Sequence, residues 1–255
     1  MRIASLLLVA LSSASGHELR QHEKIDVLVN NIGPFNNIAE TYPYYNLPFC
    51  EPETHKEESH ALGEALSGDR RRASKFDIRF KVGTQWQALC SKRLTAKNVK
   101  DFRTAIKKHY IFELFVDELP VKGFVGEMEA HTVLQNGKTT NVTKMFLFTH
   151  LDFSIAYNPQ SNTVIACNLT TDASQRVELV PGQEVNVEFS FSTHWKLSAV
   201  PFSERMREHN SHAINDQAVE IHWLSIVNSF VLVLLLTAFL AIVLLRVLKK
   251  VPTPS

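Results

Sequence analysis

The chain has 255 residues, with 27 Lys and Arg against 26 Asp and Glu, a formal net charge of +1 and 45% hydrophobic residues. That balance excludes a disordered charged stalk and gives no bulk electrostatic reason to bind nucleic acid. Three cysteines, Cys50, Cys90 and Cys167, are too few to hold the fold as a disulfide framework, so one bridge and one spare is the expected count.

Residues 1–16 carry the pattern of a secretory signal: Arg2 supplies positive charge, 3–11 a short apolar core, and Ala14-Ser15-Gly16 a small-residue cleavage site. Residues 17–220 are then expected to form a luminal domain. The Glu- and His-rich stretch 50–69 predicts a loop and a short helix around Gly63-Glu64-Ala65-Leu66. Polar and apolar residues alternate over 75–82, 151–157 and 185–191, which is the period of a half-buried strand. Residues 110–116, 121–127, 144–148 and 163–169 add β-branched and aromatic runs. Leu119-Pro120, Asn136-Gly137, Asn158-Pro159 and Pro181-Gly182 punctuate them as turns. Short strands at close spacing predict a sandwich. One helix is predicted over 96–109, with Val99, Phe102, Ala105, Ile106 and His109 on one face and Lys97, Lys100, Arg103, Lys107 and Lys108 on the other. The basic stripe is a solvated face or a surface for an acidic partner.

The last apolar run has a different character. About 22 residues from Leu224 to Leu245 at 1.5 Å each reach roughly 33 Å, enough to cross a hydrocarbon layer of ~30 Å. A membrane helix over 221–246 is therefore predicted, followed by a short cytoplasmic tail, 247–255. Arg246, Lys249 and Lys250 crowd the distal flank, as cytoplasmic flanks do. Trp223 suits the headgroup level at the other end. Ser225, Asn228 and Ser229 are polar residues near that proximal end, and in lipid such side chains seek a partner on another helix.

Few residues suggest chemistry. The sequence contains no Gly-x-Ser-x-Gly elbow, phosphate loop, His-Glu-x-x-His pair or Cys-x-x-Cys. His209 with His212, and His55 with His60, lack carboxylate or cysteine partners at ligand spacing. Arg70-Arg71-Arg72 is a loop charge cluster, with a processing site or a headgroup contact as the alternatives. Asp117-Glu118 suits a turn better than a paired acid and base, because adjacent residues on a strand point to opposite faces. Asn141-Val142-Thr143 and Asn168-Leu169-Thr170 are glycan acceptor sequences. Cys50 with Cys90 is the favoured bridge because each lies beside an apolar segment, although sequence permits all three pairings.

Several longer motifs are recognisable. Val29-Asn30-Asn31-Ile32-Gly33-Pro34-Phe35, the run from Glu40 to Cys50, and Leu62-Gly63-Glu64-Ala65-Leu66-Ser67-Gly68-Asp69-Arg70 come first. Asp117-Glu118-Leu119-Pro120-Val121-Lys122-Gly123-Phe124-Val125-Gly126-Glu127, Trp195 and the stretch from Ile221 to Phe230 follow in order. Together they resemble the luminal half and first membrane helix of the transmembrane 9 superfamily, also called nonaspanins or the endomembrane protein 70 family. The chain departs from the family at Phe191-Ser192-Thr193-His194-Trp195, where members tend to read Tyr-Ser-Val-x-Trp. Members continue into eight further helices, which raises the expectation of a truncated form of a nine-span protein.

The expected fold is mainly β, a sandwich-like luminal domain with one or two short helices, followed by a single transmembrane helix. The resemblance implies a non-enzymatic Golgi or endosomal membrane protein that assists sorting, localisation or surface delivery of other membrane proteins. Its expected partners are the lipid bilayer and transmembrane cargo, with no nucleic acid, cofactor or metal. A single-pass surface module recognising acidic glycans or lipids through Arg70–Arg72 or the stripe over 97–108 is the alternative.

Overall fold

The computed structural model describes residues 18–37, 40–53, 70–135, 138–212 and 223–250, without the side chains of 133–135, 138–141, 212, 223–226, 248 and 250. The expected signal sequence, the expected helix around Gly63, the expected turn at Asn136-Gly137, His55, His60 and the residues beyond Lys250 lie outside the described residues. The chain divides into two units, 1–214 and 215–255.

The first unit is built from strands. In chain order they are β1 (Lys24–Ile25), β2 (Val27–Pro34), β3 (Tyr42–Pro43), β4 (Arg72–Ala73), β5 (Ile78–Arg79) and β6 (Thr84–Leu94), followed by helix α1 (Ala96–Lys107). Next come β7 (Tyr110–Val116), β8 (Leu119–Phe124), β9 (Gly126–Gln135), β10 (Lys138–Phe148), β11 (His150–Asn158), β12 (Thr163–Thr171), β13 (Arg176–Glu178) and β14 (Val185–Leu197). Helix α2 (Arg205–His212) closes the unit. One principal sheet runs β3-β2-β7-β8, with β4 also on β2, and the other runs β12-β11-β14-β6. A smaller sheet, β13-β10-β9, and the pair β1-β5 complete the unit.

Strands of both principal sheets contribute to one core. Phe112 and Leu114 of β7, Phe153 and Ile155 of β11, and Val187, Phe189 and Phe191 of β14 are all buried in it. Phe49 joins the two sides, with ring centroids 6.2 Å from Phe112 and 5.7 Å from Phe189. Each such aromatic residue removes a large apolar area from water and prefers tilted or edge-on neighbours. Helix α1 covers part of this core with Val99, Phe102, Ala105 and Ile106. Thr95 caps it: its hydroxyl accepts from the Asn98 amide, while the Asn98 side chain accepts from the Thr95 amide.

The helix ends earlier than its periodicity predicts. His109, expected on the buried face, is exposed at φ 52°, because the chain must reverse at once into β7. The 75–82 strand is also shorter than expected. Phe76, Ile78 and Phe80 do alternate inward, but only Ile78–Arg79 pairs with a neighbour. The 121–127 run is interrupted at Val125, where β8 and β9 separate into different sheets. Gly126 sits at that junction, and a Cβ there would lie 2.1 Å from the Phe146 carbonyl oxygen.

Strand β2 contains one extra residue. Val29 pairs with Leu114 and Ile32 with Phe112, so three steps on β2 match two on β7. The bulge turns Asn30 into the interior, 1% exposed, where it donates to Glu113 Oε2 at 2.6 Å and accepts from the Arg70 amide at 2.7 Å. A buried amide with donor and acceptor both engaged costs little and fixes the strand's register.

The second unit is described only by helix α3 (Trp223–Lys250), 28 residues long. Its 21 residues Val227–Val247 are apolar enough to cross a membrane, and every one is exposed within the chain. The fold is thus mainly β, with few helices and one apolar helix of membrane-crossing length.

Candidate functional site

Among the described residues, helix α3 presents the clearest surface without a covering element. Asn228 and Ser229 are exposed one turn or more along it, whereas Thr237 turns its hydroxyl back to the Val233 and Leu234 carbonyls at 3.0 and 2.9 Å. A threonine satisfied in this way makes no demand on lipid, but the Asn228 carboxamide has donors and an acceptor to place. Ser225 lies on the same helix, with its side chain outside the described residues. Arg246 and Lys249 are exposed at the distal end.

The other predicted residues lie in the β-rich unit. Cys50 and Cys90 form a disulfide that ties the segment after β3 to β6, with Cα atoms 6.0 Å apart. Cys167 is buried on β12, and burial pushes its thiol far above the ordinary range, which holds it protonated and unreactive. Asn168 is half-buried on β12 opposite Ser154, with Thr170 exposed, while Asn141 lies opposite Thr132 in the β9–β10 hairpin. The arginine triplet is less free than a loop cluster. Arg70 bonds the Asn30 side chain through its amide, Arg71 stacks 4.0 Å over the Phe115 ring, and Arg72 belongs to β4. Of the basic face of α1, Arg103 donates to the Leu179 carbonyl and Lys108 pairs with Glu40 at 3.6 Å, leaving Lys97, Lys100 and Lys107 exposed.

Two polar constellations were not legible in the sequence. The first joins β11 and β14, whose parallel register sets His150 beside Ser190 and Asp152 beside Ser192. Ser192 donates its hydroxyl proton to Asp152 Oδ1 at 2.8 Å, so its oxygen accepts from His150 Nε2 at 3.0 Å. Nδ1 is then left to accept from Ser190 at 2.8 Å. His194 extends the chain, 3.3 Å from Asp152. Burial pushes the His150 imidazole below its ordinary value, against the pull of Asp172 and Asp152. A hydroxyl on a basic imidazole can act as a nucleophile, but Ser190 and Ser192 are 6% and 4% exposed, so a substrate has no approach.

The second constellation docks α2. Asp117 and Glu118 form a two-residue hairpin loop with φ 48° and 66°, the primed turn that matches strand twist. Arg205 clamps it, donating to the Asp117 carbonyl at 2.6 Å and carboxylate at 3.4 Å, with its guanidinium 4.5 Å over Phe202. His209, one turn on, reaches the Pro120 carbonyl and the Cys167 amide. Among the described residues no group of three His, Cys, Asp or Glu could hold a metal ion. A cavity of about 20 Å³ among Tyr44, Phe49, Phe76, Leu89, Phe112 and Phe189 has room for roughly one water.

These elements lie within the reach of known sequences. A family model described as Endomembrane protein 70 matches residues 41–251. Transmembrane 9 superfamily members 2 and 4 of Arabidopsis thaliana are each 39% identical, over 94% and 97% of this chain and 39% and 42% of their own lengths. Transmembrane 9 superfamily member 1 of Bos taurus is 36% identical over 96% of this chain and 40% of its own length. The chain spans about two-fifths of the length of the curated relatives it matches. The match covers the β-rich unit from β3 onward and the whole of α3. The chain is a membrane protein and belongs to the endomembrane protein 70 family, the transmembrane 9 superfamily.

Proposed function

We propose that the chain is a non-enzymatic endomembrane factor that assists the sorting or surface delivery of other membrane proteins from the Golgi or endosomes. Its β-rich unit faces the lumen, and α3 crosses the bilayer with Arg246 and Lys249 on the cytoplasmic side. The observation that carries this reading is the exposed Asn228 and Ser229 on a helix whose described side chains from Val227 to Val247 are all uncovered. Lipid tails offer such groups no hydrogen bonds, so they favour contact with another transmembrane helix, together with Ser225. Asn228→Leu is expected to reduce co-purification of membrane-protein partners from mild detergent at least threefold, while the β-rich unit stays folded. Unchanged co-purification removes Asn228 from the contact.

A second reading has its own support. Lys97, Lys100 and Lys107 are exposed along α1 and suit an acidic glycan or headgroup. Binding through them falls steeply between low and high salt, whereas helix contact in the membrane does not.

A further inference from the structure

His209 is 1% exposed, and both of its ring nitrogens face backbone groups whose roles are fixed. Nε2 lies 2.7 Å from the carbonyl oxygen of Pro120 at the start of β8, a contact that requires an N–H on Nε2. Nδ1 lies 3.4 Å from the amide nitrogen of Cys167, which donates to it and therefore requires a lone pair. The neutral imidazole with its proton on Nε2 satisfies both contacts. An imidazolium would set one N–H against another, in a place where water cannot reach to relieve it.

The surroundings reinforce this. β12 is an edge strand of its sheet, and α2 covers that edge, so the Cys167 amide has turned away from β11 and towards the helix. On α2 the Arg205 guanidinium lies one turn before His209, and it opposes a second positive charge on the same face. Glu208 and His212 are on α2 as well, and Glu204 in the preceding turn pairs with Arg207. From the β7–β8 turn the Asp117 and Glu118 carboxylates approach Arg205 at 3.4 and 3.8 Å; the cation offsets one of the two charges, and the Glu118 side chain, 86% exposed, is screened by water. β8 adds Lys122, and β12 adds the Cys167 thiol, protonated by burial.

We propose that His209 is an acid-sensitive latch, whose protonation releases α2 from β12 and the β7–β8 turn. The sign follows from the geometry. The docked state takes no proton at His209, while a released histidine takes one near its ordinary ~6.5. Docking is therefore strongest above that value and weakens as pH falls below it. Between pH 7.5 and 5.0 a single such proton changes the docking equilibrium by up to about 30-fold. Resting on the luminal placement proposed above, the latch would distinguish compartments that differ in acidity over this range.

The test is hydrogen exchange on the full chain in lipid nanodiscs at pH 7.5 and 5.0, corrected for intrinsic amide rates. The α2 amides are expected to lose about 30-fold in protection at pH 5.0, while β7 amides at Leu114 and Val116 keep theirs. His209→Gln retains a donor for Pro120 without titrating and is expected to flatten the dependence; His212→Gln is expected to preserve it. Wild-type α2 protection that agrees within threefold at the two pH values overturns the latch, as does an equal loss in β7. The wild-type comparison decides the matter even if His209→Gln fails to fold. Loss of the dependence in His212→Gln would assign the proton to that residue instead and also overturn the proposal.

Discussion

Arg205→Ala tests whether α2 is fastened by a few specific contacts or merely lies against the sheet. The guanidinium is 7% exposed as a residue and donates to the Asp117 carbonyl at 2.6 Å, so the change removes a nearly buried hydrogen bond from a charged donor. Such a bond is worth about 1.5–3 kcal/mol. The carboxylate partners add little, because the Asp117 and Glu118 side chains are 25% and 86% exposed and water screens them, which keeps that part below about 1 kcal/mol. Loss of the Phe202 stack lies within the same range. A local loss of about 2–3 kcal/mol raises α2 exchange at pH 7.5 by about 30- to 150-fold. Amides of β11 and β14 would hardly change, because no Arg205 contact reaches them. An α2 exchange rate within threefold of the wild type would refute the clamp and leave the His209 contacts and apolar burial as the fastening.

Two further outcomes follow from other parts of the unit. Replacing both Cys50 and Cys90 by Ser opens a link across a sequence separation of 40, which loop entropy values at about 4 kcal/mol; urea unfolding of the wild type and the double variant measures it. His150 is held neutral chiefly by burial, so its contribution to stability is full above the ordinary imidazole value of ~6.5 and is lost as pH falls; His150→Gln is expected to reduce the acid sensitivity of β11 and β14 exchange.

The parts of this fold that sequence made legible are those in which one face decides burial. Residues 110–116 alternate around Phe112, Leu114 and Val116, and the strand occupies those limits. The α1 face was plain because Val99, Phe102, Ala105 and Ile106 repeat at helical spacing. Composition alone announced α3. Strand β2 escaped this reading because Asn30, Asn31, Gly33 and Pro34 carry turn chemistry; what holds Asn30 inside is Glu113, 83 residues away. Strand β6 escaped it because Gln85, Gln87, Lys92 and Arg93 give it a polar edge. Neither buried histidine could have been picked out. His150 depends on hydroxyls 40 and 42 positions away and His209 on a carbonyl 89 positions away, and no local pattern encodes such pairings. The polar residues of α3 were visible for the opposite reason, standing out against an apolar background.

The central claim is that α3 meets another protein helix inside the membrane through the face that holds Asn228. A photo-crosslinking residue placed singly at position 228 or at position 230, about 200° further round the helix, tests it in native membranes. The account predicts protein adducts from 228 and lipid adducts from 230. Equal adduct patterns from the two positions would contradict it.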